Sequence, residues 1–282
     1  MGEPKLTRNR IMPKPNIHVV WHPKGEPPYG RRNIGDVVCV PWNAPKGSSP
    51  GCNSPCCSHH RKFICRNGQY VTQPGAPIRE NSLYFWAEYE PASKAVIVAP
   101  SGHTPRAVHD GLYPATSIKP VPCGALNTDP YVFGKFYYSC CKRLANSRYS
   151  KGDIILFGNY IPSGNPTVNH YVLELDTVIV FEKIIPVNDN IIQSDTQYME
   201  AVVNRTTGLP SVIKGKEYTA GSTEPFSFVP CKLYPDHFKA AAYTKPRIDT
   251  RAMRSAVDPW QYLVDSIKKQ GYNFGTMIDA IK

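Results

Sequence analysis

Residues 126–181 read LNTDPYVFGKFYYSCCKRLANSRYSKGDIILFGNYIPSGNPTVNHYVLELDTVIVF, and two apolar runs, Ile154 to Phe157 and Tyr171 to Phe181, flank a Pro/Gly/Asn loop within them. Both runs are rich in Ile, Val, Leu and Phe, which suit a pleated, buried surface, so both are read as strands. Asp176 interrupts the second run. An isolated carboxylate inside a sheet is costly unless it finds a partner, which makes Asp176 the leading candidate site residue.

Working outward, Lys151-Gly152-Asp153 launches the first of these strands, and Ile34-Gly35-Asp36 precedes Val37 to Val40 in the same way. Such Gly-Asp starts occur in small β-barrels, those of the PUA-like group included. Ile17 to Trp21 reads as the first strand. Asn67-Gly68 is the favoured centre of a type I′ turn, so Lys62 to Cys65 and Tyr70 to Thr72 are predicted to form a hairpin. Leu83 to Glu90 alternates Leu83, Phe85, Ala87 and Tyr89 with Tyr84, Trp86, Glu88 and Glu90, which predicts a strand with aromatic residues and two carboxylates on one face. Ala95 to Ala99 returns as a buried strand. Asp195 to Arg205 reads as one short helix. Trp260, Leu263, Val264 and Ile267 recur at helical spacing, with Asp258 as cap and Pro259 at the first helical position.

The 28 prolines and 20 glycines favour short strands and many turns. The expected fold is α+β: a curved, mostly antiparallel sheet or partly open barrel, PUA-like in one form, with a C-terminal helix. Residues 1–16 are expected to be an extended arm, 17–238 a single α+β domain, and 239–282 a basic segment followed by the helix. At 282 residues and 41% hydrophobic content the chain can bury a substantial core. Nowhere do eighteen apolar residues run together, and the apolar stretch near the start is too short for a signal peptide core. A cytoplasmic protein that does not enter membranes is therefore expected. Its nine cysteines are then reduced thiols or metal ligands.

The net charge of +11 favours phosphates and other polyanions. No P-loop, Gly-x-Gly-x-x-Gly turn or His-Glu-x-x-His helix is present. Among candidate ligand groups, Cys52, Cys56, Cys57, His59, His60 and Cys65 lie close together, and a zinc site of Cys52, Cys56, His59 and Cys65 needs the loop to fold back on itself; the plain alternative is a set of loop thiols. His60, Arg61 and Lys62 offer a titrating imidazole and two cations for a phosphate, or form a solvated strand end. Glu88 and Glu90 are a carboxylate pair suited to proton transfer, to a divalent metal, or to ion pairing with basic neighbours. Cys140-Cys141-Lys142-Arg143 sets thiols beside cations, but no elbow or triad spacing accompanies them.

Six segments, SHHRKF at 58–63, LYFWAEYEP at 83–91, NTDPYVFG at 127–134, GDIILFG at 152–158, LDTVIV at 175–180 and FSFVPC at 226–231, resemble in order the motifs of an uncharacterised bacterial protein family. The chain departs from that pattern at Ala87, where Gly is usual, and at Asp153, where Ser is usual; the second departure argues against Asp153 as an essential acid. The Gly-Asp strand and its apolar successor are also distantly similar to nucleotide-modification-associated domains, which implies a nucleic-acid-linked role. The resemblance directs attention to His60, Arg61, Lys62, Glu88, Glu90, Asn127, Asp129, Asp176 and Thr177.

The expected function is an enzyme acting on nucleic acid or a nucleotide. In it Arg61, Lys62, Asn127, Asp129 and Thr177 bind substrate, and His60, Glu88, Glu90 and Asp176 move protons or hold a divalent metal. Two alternatives stand beside it: a nucleic-acid-binding module without catalysis, and a zinc-stabilised interaction protein.

Overall fold

The computed structural model describes residues 14–21, 39–42, 59–88, 95–98, 106–110, 130–138, 149–162, 171–201, 203, 211–233 and 245–279. Both decisive strands are present and run longer than their apolar cores, as β8 (Ile154–Pro162) and β9 (Tyr171–Pro186). They pair antiparallel, and nine consecutive residues of β9, Leu173 to Phe181, are buried. A strand enclosed on both faces reads as a continuous apolar run, which is why its pattern does not alternate. β1 (Ile17–Trp21) lies parallel to β8. The far edge of β9 takes β10 (Ser211–Gly215), which in turn pairs with β7 (Tyr137–Tyr138). Further along that edge β12 (Arg247–Ile248) pairs with Leu173 and Glu174.

The second sheet closes on itself. β3 (His59–Val71), β4 (Arg79–Glu88), β11 (Val229–Leu233) and β13 (Asn273–Ile278) pair antiparallel in a ring, since β13 meets both β11 and β3. The molecule is thus α+β with a closed four-stranded antiparallel barrel, where the sequence left open a curved sheet or a partly open barrel. Closure removes the exposed edges that an open sheet of this length would present. β2 (Cys39–Trp42) and β6 (Arg106–Asp110) add to β3, and β5 (Ala95–Val98) adds to β6.

The predicted hairpin at Asn67-Gly68 is not formed; β3 passes straight through it, in register with β4 throughout. Gly68 is there because the backbone of β13 crosses it: an added Cβ would collide with the Met277 carbonyl oxygen. A glycine inside a strand often marks such an approach rather than a turn.

The two sheets join where Val178 and Phe228 exchange backbone hydrogen bonds of 2.9 Å. One apolar cluster, including Leu83, Phe85, Tyr131, Phe157 and Ile179, fills the space on one side. Another, including Leu173, Leu175, Val178, Val180 and Phe228, is covered by α3 (Thr250–Ser255) and α4 (Pro259–Lys269). As predicted, α4 starts with the Asp258 carboxylate accepting from Gln261 N–H and with Pro259 in the first turn. Of the helix predicted over 195–205, α2 (Thr196–Ala201) forms, and a short helix that was not predicted, α1 (Asn190–Gln193), precedes it; each is opened by its own aspartate, Asp195 and Asp189.

Candidate functional site: a buried charge ladder at a bulge

Along β9 the partner of Phe157 is Thr177 and the partner of Gly158 is Leu175, so Asp176 is the extra residue of a β-bulge. Gly158 makes the bulge possible, because any Cβ there would strike the Glu174 carbonyl. The bulge also changes the phase of the strand. Leu173 and Leu175 before it, and Val178 and Val180 after it, enter the same core, which leaves Asp176 and Thr177 consecutive on the other side.

Opposite this point, Arg247 pairs with Glu174 in the antiparallel ladder and Leu175 N–H donates to Pro246 O at 2.8 Å. Continuing that register sets Lys245 across from Asp176. Lys245 Nζ lies 3.0 Å from Asp176 Oδ1, and both side chains are 0% exposed. The same amine stands 5.2 Å from the centre of the Trp86 ring, within reach of a cation–π attraction. The next rung is more open: Arg247 Nε is 3.6 Å from Glu174 Oε1, with the arginine side chain 56% exposed and the glutamate 4%. Gln270, at the end of α4, clamps this segment by accepting from Arg247 N–H and donating to Arg247 O. The Thr177 hydroxyl is buried, and among the described residues it has no hydrogen-bond partner.

Asp176 is therefore at the centre of the arrangement, but its partners were not among the predicted residues. In the sequence, Lys245, Arg247 and Trp86 read only as parts of a basic segment and an aromatic strand. A buried carboxylate demands a cation, and that demand was the available signal; which cation answers it depends on the β9–β12 pairing.

The remaining predicted residues fall into two groups. The β3–β4 ladder sets Arg61 opposite Glu88, two positions on from Trp86, with Lys62 opposite Ala87 and His60 opposite Pro41 of β2. Glu90, Asn127, Asp129, Cys52 and Cys56 lie outside the described residues, as do Ile34 to Asp36, Cys57 and Cys140 to Arg143. The zinc set needs correction. His59 and Cys65 both belong to the single strand β3, and at about 3.3 Å per residue their backbones are roughly 20 Å apart. One tetrahedral ion cannot take both. Among the described residues no group of three or more His, Cys, Asp or Glu is placed to hold a metal.

Asp153 has a different role. Its carboxylate accepts from Asn16 N–H at 3.0 Å, Ser150 N–H at 2.9 Å and the Asn16 side chain, and pairs with His18 Nε2 at 3.0 Å. Burial alone would raise its pKa, but these bonds from Ser150, His18 and Asn16 outweigh it and hold the carboxyl below its ordinary range. The residue fastens β1 to the start of β8. Cys231 lies wholly inside the core, where burial raises the thiol well above its usual pKa and keeps it unreactive.

A polar groove of about 350 Å³ lies elsewhere, lined by Asn67, Gly68, Glu80, Asn81, Ser82 and Asp279. Its two carboxylates are the wrong sign for phosphate. Among the described residues no helix is long and apolar enough to cross a membrane. No family model matches the chain, and no curated protein or solved structure matches it.

Proposed function

We propose that the chain is a nucleic-acid-binding protein that holds a phosphate backbone on a strip formed by Lys14, Arg247, Arg251 and Arg254. The supporting observation is that these four cations are exposed and that Lys14 and Arg254 are tied together around α3. Lys14 Nζ donates to Arg254 O and Ala256 O at the end of α3, and the Arg254 guanidinium donates to Ile17 O. Arg251 and Arg254 are three apart on one helix and so share a side of it. The carboxylates nearest in sequence, Asp249 and Asp258, accept backbone N–H groups as helix caps, and Glu174 is buried. These three carboxylates keep their negative charge and are outnumbered by the four cations, on a chain of +11.

On this reading the Asp176–Lys245 pair is an anchor. Sealed from solvent, it fixes the strand from which Arg247 projects, and it does not touch ligand itself. A catalytic form of the reading rests instead on the rung that opposes Arg61 to Glu88.

Titrating labelled single-stranded and duplex oligonucleotides into the wild type and into the Arg247→Glu, Arg251→Glu, Arg254→Glu variant tests the proposal. Binding by the wild type and its loss in the folded variant are expected; equal binding by both refutes the strip. Weighing the nucleosides of the recovered oligonucleotide tests catalysis, since an unchanged mass leaves binding alone.

A further inference from the structure

We propose that Lys245 and Asp176 become joined by an intramolecular amide bond in the folded protein, a covalent staple between β9 and the strand that carries Arg247. Four observations support it. The two side chains face each other across an antiparallel ladder at 3.0 Å, close to the distance at which the amine can attack the carboxyl carbon. Both are fully withdrawn from solvent, so the ion pair carries a desolvation cost that a neutral amide does not. Trp86 covers the amine and contributes an apolar wall that keeps water away from the reacting atoms. A second carboxylate, Glu174, 3% exposed and paired with Arg247 at 3.6 Å, sits one rung along on the same strand face.

The step balances without an added reagent. A proton passes from the Lys245 ammonium to the Asp176 carboxylate, giving a neutral amine and a carboxylic acid. Lys245 Nζ attacks Asp176 Cγ, a C–N bond forms and one Cγ–O bond breaks. The oxygen leaves as water, carrying the proton already transferred and a second one from nitrogen. Glu174 is assigned as the group that accepts that second proton and returns it to the leaving oxygen, ending unchanged. No net charge is created, because one positive and one negative group are replaced by an amide.

Intact-mass measurement of the full chain under denaturing conditions decides the matter. The wild type is expected to weigh less than its sequence by one water, and fragmentation is expected to yield a branched peptide joining the Asp176 and Lys245 segments. Lys245→Met is expected to restore the full mass, and Glu174→Gln to slow the mass change after refolding. A wild-type chain of full sequence mass overturns the proposal whether or not any variant folds. Failure here leaves the nucleic-acid strip untouched, since that is read out by binding.

Discussion

Asp176 has two demands on it, a counter-charge and relief from water, and Lys245 meets the first while the surrounding strands impose the second. Removing one partner leaves a buried charge alone. Lys245→Met or Asp176→Leu is expected to cost about 3–5 kcal/mol, and the double variant to be more stable than either single one, because its site is apolar throughout. Denaturant titration of the three proteins checks this; a double variant less stable than both singles contradicts it. Asp153 gives a second prediction, in pH. Its pKa is depressed in the folded state, so its contribution is complete above the unfolded value, about 3.9, and is lost as pH falls through the lower folded value. Asp153→Asn is expected to reduce stability at neutral pH, with the deficit shrinking as pH falls below about 3.9, which unfolding curves taken in steps from about pH 7 downward would reveal. At this scale the sequence was informative about which carboxylate mattered: an aspartate inside an apolar run is anomalous on its face. It could not name the partner, since Lys245 is distant along the chain and its own neighbourhood, Lys-Pro-Arg, looks like solvated surface.

Local pattern served the elements well where burial and periodicity agreed. β8, β9 and α4 were legible because an apolar core, a cap and a proline all point the same way. It failed where a local signal had a distant cause. Asn67-Gly68 has the composition of a tight turn, yet the glycine answers the approach of β13 from the other end of the chain. Gly158 is a parallel case, since its missing side chain admits the Glu174 carbonyl and with it the bulge at Asp176. Gly158→Ala is expected to destabilise the protein by on the order of 3 kcal/mol, near the upper end for forced overpacking. Loss of less than about 0.5 kcal/mol in a thermal or denaturant midpoint, the range of neutral surface changes, would show that the bulge does not depend on that contact.

For the whole molecule, two sheets share the 226–228 segment and β9 as their seam, and strands late in the sequence complete both: β13 closes the barrel and β12 extends the other sheet. Barrel closure could not be read from composition, because it depends on β13 pairing with β3, far back in the chain. Net charge could be read directly, and its placement is what the fold adds. Lys14 from one end and Arg247, Arg251 and Arg254 from the other converge at α3. The most direct test of this account is the salt dependence of oligonucleotide affinity, measured for the wild type and the triple arginine variant. Phosphate neutralisation releases counterions, so log affinity is expected to fall linearly with log salt in the wild type, and with a shallower slope in the variant by roughly one phosphate contact for each arginine lost. Affinity that is flat across salt, or slopes that are the same for the two proteins, would contradict it.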